Sequence, residues 1–222
     1  MHVLSVNVGR AQPNPWKGLE ATGIDKQPVA GPVAVTAPGP KGTGAVGLAG
    51  DRVYDVRNHG GTYQAVYAFA REDLDRWAEV FARDLPNGSF GENLTTAGYD
   101  VNAALIGERW RIGGPAGPVL EVSCPRIPCV TFAGWLGQEG WMKRFTQDAR
   151  PGPYLRVVEP GELAAGDVLE VVNRPAHHAV TVSLAFRALT TEPELLPRLL
   201  DADALPPEDL AAVRKRLGRD DG

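Results

Sequence analysis

Short apolar runs separated by glycine and proline make up most of the first 174 residues of the chain. Most of these runs are rich in β-branched residues, which is typical of strands, and the continuous apolar run over residues 64–70 predicts a strand buried on both faces. The predicted strands cover residues 3–8, 33–36, 64–70, 104–106, 110–112, 119–122, 154–158 and 168–172. Many short strands with few helices indicate a mainly β fold, either a barrel or a sandwich.

Helical periodicity is clearest where Leu74, Trp77 and Phe81 recur at i, i+3 and i+7, which predicts a helix over residues 71–84 that packs outside the sheet. A weaker pattern predicts a second helix over residues 135–145. Beyond residue 174 the pattern becomes helical, and the predicted helices there cover residues 182–189, 193–200 and 207–217. The sequence therefore predicts a β domain over residues 1–174 and a small helical region over residues 175–222.

Composition narrows the class of protein. With 43% hydrophobic residues the chain can form a core, and its formal net charge of −4 leaves no basic surplus for binding nucleic acid or a membrane surface. No apolar run approaches the roughly 18 residues of a membrane span, and the first residues lack a cationic leader. Two cysteines are too few for a secreted disulfide scaffold. We expect a cytoplasmic protein with reduced thiols.

Cys129 ends the segment Pro-Arg-Ile-Pro-Cys, in which two prolines hold the guanidinium of Arg126 and the thiol in one rigid loop. A nearby cation lowers the pKa of a thiol and favours a thiolate that acts as a nucleophile or a metal ligand. The alternative is that Cys129 is a small buried apolar residue, the more common role of a free cysteine. Cys124, at the end of an apolar strand, fits that alternative better.

Two further polar clusters are candidates for a ligand site. Asp51, Arg52, Asp55 and His59 lie within nine residues, directly after the glycine- and proline-rich loop over residues 37–49, which we expect to be a mobile lid. The second cluster is Phe-Gly-Glu-Asn-Leu over residues 90–94. Taken alone, His59 is more often a hydrogen-bonded structural residue than a base, and the second cluster reads as a turn.

In combination these motifs are recognisable. They are Gly-Asp-Arg at 50–52, His-Gly-Gly at 59–61, Phe-Gly-Glu-Asn-Leu at 90–94, Pro-Arg-Ile-Pro-Cys at 125–129, Tyr-Leu-Arg-Val at 154–157 and Gly-Asp at 166–167. Their order and spacing resemble the MOSC domain family, which is related to the C-terminal part of molybdenum-cofactor sulfurases, and most closely its YiiM-like branch. The resemblance runs from about residue 20 to residue 174, and the helical tail is similar to the region that follows the domain in that branch.

The resemblance implies a MOSC-type β-barrel with a few peripheral helices that holds the molybdenum cofactor, molybdopterin, with one cysteine on the metal. Cys129 matches the family's metal-binding cysteine. Arg52 and Arg126 are expected to bind the phosphate and the polar pterin edge, because guanidinium groups bind phosphate in a bidentate manner. Lys26 resembles a cofactor-binding lysine of amidoxime-reducing relatives more loosely. Asn93 and His59 are expected to donate hydrogen bonds to the cofactor, and His59 is also a catalytic candidate.

Three hypotheses for function follow. The first is a molybdenum-dependent oxidoreductase that reduces N-hydroxylated compounds such as hydroxylamines, N-hydroxylated bases or amidoximes. Because the sequence has no flavin, haem or iron–sulfur motif, its electrons would come from a separate flavin or iron–sulfur reductase. The second is a non-catalytic carrier of the cofactor or of sulfur. The third is a barrel in which Cys129 is only structural.

Overall fold

An eight-stranded sheet forms the body of the structure, a computed structural model that describes residues 1–218. The strands are β1 His2–Pro13, β2 Ala21–Pro28, β3 Val33–Val35, β4 Val66–Ala70, β5 Leu94–Ala97, β6 Arg109–Ile112, β7 Val119–Pro125, β8 Pro153–Glu159, β9 Gly161–Leu163 and β10 Leu169–Asn173. The order in the large sheet is β10-β6-β7-β8-β4-β5-β1-β2, and β3 pairs with β9 in a small second sheet.

Five α-helices accompany the strands. They are α1 Arg71–Phe81, α2 Val130–Leu136, α3 Trp141–Asp148, α4 Val182–Thr190 and α5 Pro207–Arg216. The pair β4–β5 is parallel, whereas the other pairs are antiparallel. A parallel pair needs a crossover connection, and α1 provides it.

The mainly β prediction is confirmed, but the closed barrel is not. The sheet ends at β10 on one side and at β2 on the other. The start of β1 approaches the residues before β10 through an isolated bridge between His2 and Val168, and the Val3 N–H donates to the Asp167 carbonyl at 2.9 Å. This bridge does not extend into a ladder of paired residues, so the sheet is not closed into a barrel.

Two apolar clusters hold these elements together. One fills the inside of the sheet and includes Val66, Ala68 and Ala70 of β4. The other is aromatic and buries Leu74, Trp77 and Phe81 of α1. The predicted packing face of α1 and the full burial of β4 are therefore confirmed. Burial of three such side chains contributes several kcal/mol, at roughly 25 cal/mol per Å² of apolar area.

Several predicted elements differ in the structure. The single helix over 135–145 was wrong, because Gly137 and Gly140 adopt left-handed backbone conformations and divide the segment between α2 and α3. Residues 104–106 form no strand, and only an isolated bridge joins Leu105 to Thr181. Residues 193–201 form a 3₁₀ helix with Pro197 inside it. Strands β2, β5 and β9 were not predicted.

The C-terminal helices pack onto the same core as the sheet. Val182 and Ala185 of α4 are fully buried in the cluster that fills the sheet. The Thr181 hydroxyl begins α4 by accepting a hydrogen bond from the Leu184 N–H at 3.1 Å. The division into two domains at residue 174 stays a prediction. The last four residues of the predicted helical region, 219–222, lie outside the described part of the chain.

Candidate functional site

One pocket gathers side chains from separate stretches of the chain. Its empty volume is about 840 Å³, counting the open mouth. All six residues singled out from the sequence line it, namely Lys26, Arg52, His59, Asn93, Arg126 and Cys129. Their convergence is thus a fact of the structure, whereas their individual roles stay predictions.

Cys129 lies directly before α2, at the end of the loop that follows β7, and its side chain is half-buried. Burial alone would raise the pKa of its thiol, but a hydrogen bond from His59, the charge of Arg126 and the backbone N–H of Phe132 lower the pKa to about 6. The thiolate is therefore the dominant form at neutral pH. Cys124 differs, because burial at the end of β7 raises the pKa of its thiol to about 12.

Arg126 is a buried cation beside this thiolate, with a side chain that is only 5% exposed. Its Nη1 donates to the Phe90 carbonyl at 2.6 Å, and its guanidinium lies over the rings of Phe132 and Tyr67. Among the described residues, no carboxylate pairs with Arg126, and its buried Nε has no hydrogen-bond partner. A buried guanidinium left in this state is a strong site for an anion.

Asp51 connects two of the predicted cofactor-binding residues to each other. Its carboxylate forms a buried ion pair with Lys26 and accepts a hydrogen bond from Asn93 Nδ2 at 2.9 Å. The Asn93 amide also accepts from the Tyr67 N–H at 3.0 Å and donates to the Asn7 carbonyl at 3.2 Å. The side chains of Lys26 and Asn93 line the pocket, but their polar groups already have partners within the protein.

The mouth of the pocket carries a different set of groups. Arg52 lines the pocket and is exposed, with no ion pair to any described residue. Nearby, Asp55 forms an ion pair with Lys17 and accepts the backbone N–H of His59 at 2.9 Å through its carbonyl. This turn orients His59 towards Cys129. Of the two arginines expected to bind the cofactor, Arg126 adjoins Cys129, whereas Arg52 lies at the mouth.

The loop over residues 37–49 contributes part of the pocket wall, through Pro38, Ala45, Val46 and Gly47. Its second half is anchored, since Leu48 is fully buried and bridges to Val35. A side chain at Gly47 would place its Cβ 2.2 Å from the Ala65 carbonyl oxygen. Glycine is therefore required where this loop passes the Ala65 carbonyl. The movement of the loop as a lid stays a prediction.

The sequence assigned no individual role to three of the pocket residues, namely Asp51, Tyr67 and Tyr154. Asp51 belongs to the Gly-Asp-Arg motif, but only the structure shows that its carboxylate is buried against Lys26. Tyr67 lies within the apolar run of β4, where nothing in the pattern marks it as different. Tyr67 is buried and Tyr154 is partly buried, and this burial raises the pKa of both phenols. Their rings flank each other with centres 5.2 Å apart.

At its inner end the pocket combines a thiolate, an imidazole and a buried guanidinium that no described carboxylate pairs with. An exposed guanidinium lies at its mouth. Such a set can bind a metal through sulfur, bind anionic oxygen or sulfur atoms through Arg126, and hold a proton on His59. These residues fit a large anionic group that carries a soft metal.

Comparison with known proteins gives a consistent result. Residues 55–170 match the model of the MOSC domain. The uncharacterized protein YflK of Bacillus subtilis is 34% identical over 83% of this chain and 79% of its own length. A protein named reductase from Gibberella moniliformis is 29% identical over 78% of this chain, which corresponds to 29% of that longer protein. The crystal structure of YiiM from Geobacillus stearothermophilus superposes with a TM-score of 0.76 at 26% identity, covering 97% of this chain and 98% of that one.

Among residues 1–218, no helix has the length and apolar character needed to cross a lipid bilayer. The cytoplasmic location stays a prediction.

Proposed function

Because the chain belongs to the MOSC domain family, as a YiiM-like member of it, we propose that it is a molybdenum-cofactor oxidoreductase that reduces N-hydroxylated compounds. The observation that carries this proposal is the pairing of a low-pKa thiolate, Cys129, with the buried and otherwise unpaired guanidinium of Arg126 in one pocket. A structural cysteine needs neither an ionised sulfur nor a cation beside it.

The residues present fit the cofactor. Cys129 would hold the metal, since a soft thiolate suits molybdenum that is already bound by the pterin's sulfur atoms. Arg126 would bind anionic groups close to the metal, and Arg52 at the mouth would bind the phosphate. When bound, the cofactor supplies two-electron redox chemistry at its metal.

The protein's own side chains then have separate tasks. Arg126 keeps Cys129 ionised, because its positive charge lowers the pKa of the thiol. His59 donates a hydrogen bond to Cys129, and we assign it the role of carrying a proton to the substrate. Asp51 holds Lys26 and Asn93 in position, which makes these three residues the fixed wall of the pocket.

The proposed reaction converts R–NHOH, two electrons and two protons into R–NH₂ and water. The N–O bond breaks, the nitrogen is reduced, and the oxygen leaves as water. The chain carries no motif for a second redox group, so we propose that a flavin or iron–sulfur reductase supplies the electrons. Ile127 and Val130 are 45% and 52% exposed and lie on either side of Cys129 in the chain, within two residues of it, so their surface offers a short route to the thiolate.

The test uses protein made in a host that synthesises the cofactor, a chemical reductant, and hydroxylamine or an N-hydroxylated base as substrate. Wild type should turn over, Cys129→Ala should lose at least 100-fold of the rate, and Cys124→Ala should keep most of it, with the fold of each variant checked by circular dichroism. Full activity of Cys129→Ala would refute the thiolate ligand. Cofactor bound without any turnover would favour the carrier function instead.

A further inference from the structure

A second cavity lies on the outer face of the sheet, away from the pocket just described. Its floor is formed by Arg109 of β6, Glu121 of β7 and Arg156 of β8, and its walls by the linker after β10 and the segment before α5. The empty volume is about 830 Å³, counting the open mouth. We call it the arginine cleft, defined by Arg109, Arg156, Arg174 and His177.

Two arginines of the cleft are fixed by one buried carboxylate. Glu121, whose side chain is 3% exposed, accepts Arg109 Nε at 2.7 Å through one oxygen and Arg156 Nε at 2.7 Å through the other. Residues 109, 121 and 156 lie opposite one another in the ladder, because Arg109 pairs with Glu121 and Glu121 with Arg156. The pairing register therefore fixes the position of both guanidinium groups.

The third arginine comes from the linker. Arg174 Nη1 lies 3.1 Å from an oxygen of Glu108, a residue with no exposed surface. Glu108 also accepts hydrogen bonds from Trp110 Nε1 at 2.8 Å and from the Tyr99 hydroxyl at 2.5 Å. These donors are neutral, and Arg174 is the cation that pairs with Glu108.

The carboxylates around the cleft do not occupy its three arginines completely. Three guanidinium groups stand against the buried carboxylates of Glu121 and Glu108 and the largely exposed carboxylate of Asp203, which lies 3.7 Å from His177 at the edge. Each arginine uses one edge of its guanidinium on a glutamate. The side chains of Arg109 and Arg174 are 42% and 52% exposed, which leaves their other edges accessible from the cleft.

We propose that the arginine cleft binds a small molecule that carries a phosphate group. Arginine forks held by buried glutamates are preorganised, so little side-chain entropy is lost on binding. A carboxylate has only two oxygens, whereas phosphate has enough to reach guanidinium groups that come from three different segments. The site is independent of the cofactor pocket and shares no lining residue with it.

Binding there would also join the sheet to the C-terminal region. Residues 174–177 and 203–204 form the walls, while β6, β7 and β8 form the floor, so the ligand would contact both. A ligand that binds only the folded chain raises the unfolding temperature in proportion to the logarithm of its concentration. The unfolding temperature is therefore a second readout of occupancy.

The experiment titrates the full chain with inorganic phosphate by calorimetry and by thermal unfolding, with acetate as the monovalent comparison at equal ionic strength. Single variants Arg109→Gln and Arg174→Gln should each weaken phosphate binding about tenfold or more, as expected for the loss of charge-assisted contacts. In Arg109→Gln the buried Glu121 still has Arg156 as a partner, so we expect the fold to be preserved. Arg111→Gln is the matched control, because Arg111 lies on the same strand and pairs with the exposed Glu159.

One further variant separates the two sites. Arg52→Gln alters the cofactor pocket and leaves the cleft intact, so the proposal expects phosphate binding to persist in it. Loss of binding in Arg52→Gln, equal affinity in Arg109→Gln and wild type, or no saturable binding of phosphate would each overturn the proposal.

Discussion

The guanidinium carbon of Arg126 lies 3.6 Å from the centre of the Phe132 ring. This cation–π contact and the hydrogen bond to the Phe90 carbonyl hold a buried positive charge beside Cys129 without any carboxylate to neutralise it. Aromatic and carbonyl partners fix the cation in place while leaving its charge available. The available charge lowers the pKa of the Cys129 thiol.

Replacement of Arg126 should therefore change the acidity of that thiol. We expect Arg126→Gln to move the pKa of Cys129 from about 6 towards the ordinary value of about 8.5, measured by the pH dependence of alkylation in cofactor-free protein. Arg83→Gln is the control, since Arg83 also lies over an aromatic ring, Phe81, and donates to a backbone carbonyl. An unchanged midpoint in Arg126→Gln would show that the cation does not set the acidity.

The two thiols should react at very different pH. Alkylation of Cys129 in cofactor-free protein should be slow below pH 5 and should rise through a midpoint of about pH 6, because only the thiolate reacts. Cys124, whose pKa burial raises to about 12, should stay unmodified up to pH 9 in the folded protein. Mass spectrometry of the modified peptides distinguishes them, and equal rates at pH 7 would contradict this assignment.

The buried pair of Asp51 and Lys26 should matter more for stability than any exposed pair. Asp51→Asn leaves the Lys26 charge buried without its partner, so we expect a loss of roughly 3 kcal/mol or more in the free energy of unfolding, measured with urea. Asp75→Asn removes an exposed partner of Arg71 and should cost less than about 1 kcal/mol. Similar losses in the two variants would argue against a structural role for Asp51.

The surface around Ile127 and Val130 should affect the electron donor and leave the chemistry unaffected. A charge introduced by Val130→Glu should slow turnover with a flavin reductase severalfold, while turnover with a chemical reductant stays the same. Val80→Glu, at a similarly exposed apolar position on α1, is the control. Equal rates with the protein donor in all three proteins would show that the donor binds elsewhere.

Local patterns predicted the parts of the fold that depend on local physics. The burial of β4 and the packing face of α1 followed from apolar runs and helical periodicity. Strand β5 was missed because the residues after Glu92 look like a turn, and their strand character comes from pairing with β1 and β4. The sheet is not closed into a barrel, because a few hydrogen bonds and an isolated bridge join the start of β1 to the start of β10 without a ladder of paired residues.

The sequence predicted which residues line the candidate site but not which of them contact one another. Motif order brought Arg126, Cys129 and His59 together as candidates, and they line one pocket. Nothing in the sequence showed that the Asp51 carboxylate binds both Lys26 and Asn93. These two residues are separated from Asp51 by 25 and 42 positions along the chain. Long-range ion pairs of this kind depend on the completed fold.

The central claim is that Cys129 holds a molybdenum cofactor, and the most direct measurement is molybdenum and pterin content per chain in protein made by a cofactor-producing host. We predict close to one molybdenum and one pterin per wild-type and Cys124→Ala chain, and a loss of metal in Cys129→Ala. Wild-type protein without molybdenum or pterin, or Cys129→Ala with full metal content, would contradict the account.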